Sequence, residues 1–243
     1  MLCRRCSILT DRTGNAARPV SALGNGGDTC ADQCSRRGFI AAAGLLIPGA
    51  LLASAQATAP VPDALRAQRP VSVDLGFIRY QLPLVPRIEW NNELPKPWKL
   101  RIAEAFDRIT VHHSGASANY HTDRSQVIRD MEGVFASHTR RNYGDIGYHF
   151  VIDYAGTVWE GRSLAYEGAH VACQNERNIG VMLLGNFEEQ APSASQIATA
   201  SRLLGLLQQR FRIKPHRIFG HRDLGHSVCP GKQLYTYVQH LRA

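Results

Sequence analysis

The sequence predicts a single α/β domain in which a central mixed β-sheet is flanked by helices. Short runs of β-branched and aromatic residues alternate with longer segments whose apolar residues recur at helical spacing, and this alternation is typical of α/β proteins. The 243 residues are 44% hydrophobic and 20% charged, which are ordinary values for a globular protein. A chain of this length supports one large domain or two small ones.

The strand predictions rest on short apolar runs bounded by turn residues. Residues 109–113 are a β-branched run that ends in two histidines. Tyr154-Ala155-Gly156 is a turn between two further runs, so those two runs are expected to form an antiparallel hairpin, which makes the sheet mixed. The predicted strands span residues 109–113, 147–153, 157–160, 179–184 and 217–220.

Two helices are predicted from apolar spacing and from capping signals. The first begins near Thr122 or Asp123 and ends at about Asn142, where Asn-Tyr-Gly marks its exit. The second has Ser193 as its N-cap and Gln196 three residues later, the pattern of a capping box. The apolar positions of the first helix are Val127, Ile128, Met131, Val134 and Phe135.

Residues 1–57 are predicted to be a leader with a twin-arginine signal peptide. The pair Arg36-Arg37 precedes an uncharged stretch over residues 38–55 that ends in Ala-Ser-Ala. A basic start, an apolar run and small residues at the exit are typical of a secretory signal, and the adjacent arginines indicate the twin-arginine route. A membrane anchor is the alternative, because 18 apolar residues are about the minimum for a span. We expect cleavage, no stable membrane insertion afterwards, and a periplasmic or otherwise extracytoplasmic protein.

Residues 58–85 are expected to form a proline-rich extended segment that wraps the core, because proline lacks a backbone donor and disfavours helix. Alternating hydrophobicity over residues 71–84 predicts a peripheral strand there. The domain that carries the chemistry is then expected to cover residues 86–243.

The formal charge of +8 and a pI near 9.4 indicate an anionic partner. The net charge alone is compatible with nucleic acid, a membrane surface or an acidic cell-wall polymer as that partner.

Histidine and cysteine residues mark a candidate metal site near the ends of two predicted strands. His112 and His113 end the first strand, and consecutive side chains of a strand point to opposite faces, so one of the two faces any given site. His221 follows the last strand, and Cys229 comes eight residues later. Two imidazoles, a thiolate and an open fourth position constitute a catalytic zinc site. The alternative is a disulfide between Cys173 and Cys229.

Six motifs in order closely resemble the type-2 N-acetylmuramoyl-L-alanine amidases, together with the related peptidoglycan recognition proteins and phage amidase-lysozymes. Residues 86–90 also look like the first segment of the recognition-protein form, and the resemblance spans about residues 86–240. The motifs are Ile109-Thr110-Val111-His112-His113-Ser114, Asp145-Ile146-Gly147-Tyr148-His149-Phe150, Trp159-Glu160-Gly161-Arg162, Gly168-Ala169-His170, Asn178-Ile179-Gly180-Val181, and Gly220-His221-Arg222-Asp223 with Cys229-Pro230-Gly231.

The resemblance implies one zinc ion per chain, held by His112, His221 and Cys229 in a cleft on one face of the domain. It implies that Tyr148 is the catalytic tyrosine, with its hydroxyl near the scissile carbonyl. Ser227 stands where phage amidases carry lysine and recognition-type amidases usually carry threonine, so we expect it to act as a catalytic hydroxyl donor.

The resemblance further implies an exported hydrolase that acts on peptidoglycan or muropeptides and binds no nucleic acid. His170 and Arg162 are expected to contact the substrate. If Cys229 holds zinc, Cys173 is expected to be a free, buried thiol. The alternative function is a muropeptide-binding module of the same fold that does not cut its ligand, and retention of Cys229 favours the enzyme.

Overall fold

The computed structural model describes residues 73–242, and this part of the chain contains six strands and four α-helices. The strands are β1 (Leu84–Val85), β2 (Arg108–His113), β3 (Phe150–Ile152), β4 (Val158–Glu160), β5 (Asn178–Leu183) and β6 (Ile218–Gly220). The helices are α1 (Gly76–Arg79), α2 (Arg124–Arg140), α3 (Ala194–Phe211) and α4 (Lys232–His240).

The six strands form one mixed sheet in the order β1-β4-β3-β5-β2-β6. Neighbouring strands are parallel except for β3 and β4, which form the predicted antiparallel hairpin. Strand β2 lies between β5 and β6, and Val111 is paired with Val181 on one side and with Gly220 on the other. The carboxyl ends of these three parallel strands therefore meet at one edge, where open α/β sheets usually bind ligands. The predicted fold class is confirmed.

Alternate strand residues face two apolar layers on opposite sides of the sheet. Helices α3 and α4 contribute Leu203, Leu207 and Leu234 to the first layer, where they belong to one cluster with Ile109 and Val111. Helix α2 covers the second layer. Its residues Val127, Met131 and Phe135 form a cluster there with Val151, Trp159 and Met182.

Both long helices begin at the capping residues that the sequence predicts. The side chain of Asp123 accepts hydrogen bonds from the backbone N–H groups of Ser125 and Gln126 at the start of α2. Ser193 and Gln196 form a reciprocal capping box at the start of α3. Each cap satisfies backbone donors that have no partner within the helix.

The predicted peripheral strand over residues 71–84 is wrong for most of its described part, residues 73–84. Asp74 accepts a hydrogen bond of 2.8 Å from the N–H of Gly76 and so starts the short helix α1, which buries Ile78. Strand pairing is confined to β1, which lies beside β4 at the edge of the sheet.

Two further details differ from the sequence prediction, and a third prediction falls on residues outside 73–242. The predicted strand over residues 147–153 shortens to β3, so that residues 147–149 form the loop that leads into it. Helix α4 was not predicted. The leader, residues 1–57, and the first part of the proline-rich segment lie outside the described residues. Among residues 73–242, no helix has both the length and the apolar character that a membrane span requires.

Candidate metal centre and substrate groove

Three possible metal ligands converge at the carboxyl edge of the sheet. His112 lies near the end of β2, and His221 directly follows β6. Because β2 pairs with β6 up to Val111 and Gly220, the residues that follow this pair lie side by side. Cys229 comes from the loop before α4. The ligand atoms of His112, His221 and Cys229 all lie within 4.8 Å of one another.

The distances in this cluster suit zinc. The Sγ atom of Cys229 is 3.6 Å from Nδ1 of His112, and the His112 and His221 ring centroids are 4.8 Å apart. Tetrahedral zinc with Zn–S of about 2.3 Å and Zn–N of about 2.0 Å separates its sulfur and nitrogen ligands by about 3.6 Å. Three protein ligands leave a fourth position open, as in catalytic zinc sites. His226 is exposed and does not belong to this group.

Burial sets the protonation of the three side chains. It lowers the pKa of His112 well below its ordinary value, with a smaller effect from the neighbouring His170, and it lowers the pKa of His221. Both imidazoles are therefore neutral, which is the form that binds metals. Burial also raises the pKa of the Cys229 thiol to about 12. The N–H of His113 donates to this sulfur over 3.3 Å and opposes that rise.

The two cysteines of the domain do not pair with each other. Cys229 is buried and is a free cysteine, so the alternative of a disulfide between Cys173 and Cys229 is wrong. The expectation of a free, buried thiol at Cys173 is wrong as well. Cys173 is disulfide-bonded. It is exposed because it lies in a surface turn, where its φ is 59°.

A groove of about 380 Å³ lies between α2 and the sheet and reaches Tyr148. The β2–α2 connection lines one end of it with Ser114 and Asn119, and α2 lines its length with Asp130 and His138. Its further lining residues include Arg129, Gly133, Val134, Ser137, Arg141, Met182 and Leu184. The groove therefore has a mixed polar and apolar lining, and it includes two arginines, Arg129 of α2 and Arg141 just after that helix.

Tyr148 links the groove to the metal cluster. Its ring centroid is 5.1 Å from that of His112, and the same side chain lines the groove. Burial raises the pKa of the Tyr148 hydroxyl far above its ordinary value. The hydroxyl therefore keeps its proton at Oη near neutral pH and acts as a hydrogen-bond donor, not as a base.

His138 is a groove residue that the sequence analysis did not identify. Its Nδ1 accepts a hydrogen bond of 2.8 Å from the N–H of Gly147, the residue before Tyr148. Burial, with smaller effects from Arg141 and Arg162, lowers the pKa of His138 to about 3. The one available signal was a histidine in the last turn of α2, and helical spacing does not distinguish such a residue from an exposed one.

The other predicted site residues lie around the cluster, outside the groove lining. The hydroxyl of Ser227 accepts a hydrogen bond of 3.1 Å from the N–H of Cys229. Arg162 is buried and donates to the backbone oxygens of Asp145, Ile146 and Glu167, so it braces the loop before Tyr148. The catalytic role of Ser227 and the substrate-binding role of Arg162 stay predictions.

His170 lies behind His112, with 3.0 Å between Nδ1 of His170 and Nε2 of His112. Its own Nε2 is 3.2 Å from the backbone oxygen of Asn178. Both ring nitrogens therefore contact protein atoms, and the expected role of His170 in substrate binding stays a prediction.

Comparison with known proteins identifies the family. Residues 103–232 match the model of the Amidase 2 family, described as N-acetylmuramoyl-L-alanine amidase. The matched segment is more than half of the chain. The chain belongs to this family.

Sequence relatives of this amidase-family chain include both recognition proteins and an enzyme. It is 32% identical to peptidoglycan-recognition protein SD of Drosophila simulans over 165 residues, which are 67% of this chain and 87% of that protein. It is 31% identical to an N-acetylmuramoyl-L-alanine amidase of Sus scrofa over 63% of this chain and 26% of the pig protein. The chain thus matches about a quarter of the pig enzyme.

Solved structures agree with the assignment to the amidase family. The crystal structure of Drosophila recognition protein SD superposes with a TM-score of 0.60 and 28% identity, covering 65% of this chain and 94% of that one. A mutant of Drosophila recognition protein LB in complex with tracheal cytotoxin gives a TM-score of 0.58 and 26% identity, covering 64% and 92%. The family resemblance inferred from the sequence is confirmed.

Proposed function

We propose that this chain is a zinc-dependent amidase that hydrolyses the bond between the lactyl group of N-acetylmuramic acid and L-alanine of peptidoglycan stem peptides. The observation that carries the proposal is the cluster of His112, His221 and Cys229 beside Tyr148 at one end of the groove. Recognition of a ligand does not require three converging metal ligands with an open fourth coordination position. A zinc hydrolase requires both.

The three ligands would hold one zinc ion, which when bound supplies a Lewis acid for the amide carbonyl and an activated water. The chain prepares its ligands for this role. Burial keeps His112 and His221 neutral, and the N–H of His113 stabilises negative charge on the Cys229 sulfur.

Tyr148 and Ser227 would stabilise the transition state. Attack on the amide places negative charge on the carbonyl oxygen, and the protonated Tyr148 hydroxyl at the end of the groove is a donor for that charge. Ser227 accepts from the N–H of Cys229, so its own proton remains for a substrate oxygen.

The groove would hold the stem peptide. Arg129 and Arg141 line it and attract the carboxylates that stem peptides carry, and the net positive charge of the chain favours the anionic wall. The complex of recognition protein LB with tracheal cytotoxin supports a muropeptide as the ligand class. Nucleic acid is not needed to account for the charge.

The test is cleavage of purified peptidoglycan by the metal-free chain, the zinc-reconstituted chain and the Tyr148→Phe variant. We expect cleavage with zinc and none after chelation. The Tyr148→Phe variant should retain zinc but lose about 10²- to 10³-fold in kcat, as is usual when one donor to an oxyanion is removed. Equal cleavage by the chelated and reconstituted chains would contradict the proposal.

Non-catalytic recognition of muropeptides is the second candidate, and the recognition-protein relatives favour it. It predicts that the reconstituted chain binds muropeptides without releasing a free L-alanine amino group. Binding and cleavage are therefore measured on the same samples, since cleavage excludes the second candidate and binding without cleavage excludes the first.

We also propose that the protein acts outside the cytoplasm in wall remodelling or turnover. The support is the arginine pair, apolar run and Ala-Ser-Ala exit of residues 1–57. Replacing Arg36 and Arg37 together by lysine should retain the uncleaved precursor in the cytoplasm. Normal processing of that variant would contradict export by the twin-arginine route.

A further inference from the structure

His170 connects a backbone carbonyl to the candidate metal cluster through two hydrogen bonds. Its Nε2 lies 3.2 Å from the oxygen of Asn178, and its Nδ1 lies 3.0 Å from Nε2 of His112. On the far side of the His112 ring, Nδ1 faces the Cys229 sulfur at 3.6 Å. A continuous series of polar contacts therefore runs from the Asn178 carbonyl through the His170 and His112 rings to the metal cluster.

The fixed end of this chain determines where each proton lies. A carbonyl oxygen only accepts, so Nε2 of His170 must donate to Asn178. In a neutral ring the other nitrogen is an acceptor, and Nδ1 of His170 therefore accepts from Nε2–H of His112. His112 then carries its lone pair on Nδ1, the atom that faces Cys229.

A cationic His170 would reverse this order, and its surroundings disfavour a cation. The ring is buried, and within residues 73–242 its hydrogen-bond partners are His112 and a backbone carbonyl, with no carboxylate to pair with a positive charge. An uncompensated buried charge is costly. The neutral arrangement, with the lone pair of His112 toward the cluster, is the one that this environment supports.

Two glycines and an asparagine fix the position of the His170 ring. A Cβ atom at Gly168 would lie 2.4 Å from Cδ2 of His170, and one at Gly180 would lie 2.5 Å from the same atom, so both positions exclude a side chain. The side chain of Asn175 accepts from the N–H groups of His170 and Val171. The ring therefore packs directly on two glycine backbones near its Cδ2 atom, and its own backbone is fixed by Asn175.

We propose that His170 is a positioning residue that locks His112 in the tautomer with its proton on Nε2, and so aims the Nδ1 lone pair at the metal position. This inference rests on the proposed function, because the lone pair matters only if His112 binds a metal. Partners of this kind behind metal-bound histidines typically change metal affinity by 10- to 100-fold.

The first test is nitrogen NMR of the histidine rings in the metal-free wild-type chain, which requires no variant to fold. We expect His112 and His170 both to be neutral and protonated at Nε2. A proton on Nδ1 of His112 would overturn the proposal whether or not the chain is an enzyme.

The second test is zinc affinity, measured by competition with a chelator, for wild type, His170→Leu, His170→Gln and His149→Gln. His149 is the matched control because it is also buried, accepts from the N–H of Gly180 at Nδ1 and contacts the oxygen of Tyr166 through Nε2. Its ring packs edge-on against His170 but makes no hydrogen bond to the three ligands. The leucine variant should lose 10- to 100-fold in affinity. The glutamine variant, whose side-chain oxygen can accept from His112, should recover part of that loss, and the control should change by less than about 3-fold.

The outcomes separate this inference from the proposed function. A wild-type chain that binds no zinc removes the proposed function. A wild-type chain that binds zinc, with His170→Leu binding it equally well, overturns the positioning role alone. If the leucine variant does not fold, the zinc affinity of the glutamine variant and the tautomer of His112 in the wild-type chain test the positioning role.

Discussion

The two faces of the central sheet differ sharply in what they bury. The face under α3 and α4 is mainly an apolar layer of leucine, isoleucine, valine and phenylalanine side chains, with His113 as a buried imidazole beside Phe187. The face under α2 also has an apolar cluster, but beside it lie the buried imidazoles of His112, His138 and His170. Burying polar rings is costly unless each finds a partner, and each of these three does.

This difference indicates that one face provides stability and the other provides chemistry. The apolar face tolerates exchanges among apolar side chains when their total volume and pattern are kept. The histidine face depends on particular hydrogen bonds, and these set the protonation and orientation of the groups around the groove. Substitutions on the two faces should therefore have different consequences.

The largest expected effect is that of Cys229→Ala on the histidine face. We expect this variant to lose stoichiometric zinc and to cleave muropeptides at least about 10³-fold more slowly, since several kcal/mol of transition-state stabilisation depend on the metal. Metal content and cleavage rate on the same samples provide the measurement. Leu207→Ala on the other face is the control, and a shared loss of zinc in both variants would contradict the distinction.

Leu207→Ala should instead reduce stability. Leu207 is fully buried in the apolar layer, and truncation of such a leucine typically costs about 2 to 5 kcal/mol through lost burial and a residual cavity. Urea unfolding of both proteins measures the difference. At 25 °C the folded variant should still bind one zinc ion. A loss of unfolding free energy below 1 kcal/mol would show that this layer contributes less to stability than its burial indicates.

The histidine face should make stability depend on pH. The folded chain keeps the pKa of His138 near 3, whereas an unfolded histidine titrates near 6.5. The unfolded state therefore binds the additional proton below that pH, and stability falls on acidification. Between pH 7 and pH 5 this histidine alone should cost about 2 kcal/mol.

His138→Gln tests this dependence, because glutamine can still accept from Gly147. The free energy of unfolding of this variant should change by about 2 kcal/mol less than that of wild type between pH 7 and pH 5. His216→Gln, at an exposed position, should leave the slope unchanged. A slope that is the same in all three proteins would mean that the pKa of His138 does not differ between the folded and unfolded states.

The smallest effects are expected at the helix caps. Asp123→Ala at α2 should slightly lower the unfolding free energy, and Ser193→Ala at α3 should cost about 1 kcal/mol, as N-cap substitutions usually do. Because α2 lines the groove, the first variant should also raise KM for muropeptides, while the second should not. Equal KM values in both variants would indicate that the groove is insensitive to the start of α2.

Sequence patterns predicted the apolar face better than the histidine face. Short apolar runs located β2 and β5, helical spacing located α2 and α3, and capping residues located both helix starts. Helix α4 was missed because a proline and a glycine precede its short run of apolar residues. The segment before β1 was predicted as a strand because its hydrophobicity alternates, and the prediction failed because local turn chemistry at Asp74 outweighed that alternation.

The candidate metal ligands were also accessible from sequence, because motif order places His112, His221 and Cys229 near strand ends. The positions of His138 and His170 were not. A histidine in a helix or a loop gives no sign of which atom it will contact, and the contacts here join residues up to 58 positions apart. Only the paired strands and the glycines beside His170 bring those atoms together.

The most direct test of the central proposal is hydrolysis of a muramyl peptide by the zinc-loaded chain in water enriched in oxygen-18, followed by mass spectrometry of the products. Hydrolysis of the proposed amide adds one water oxygen to the lactyl carboxylate of the sugar and one proton to the released L-alanine nitrogen. We expect one heavy oxygen in the muramic acid product and none in the peptide. An intact muramyl peptide, or a heavy oxygen in the peptide, would contradict the account.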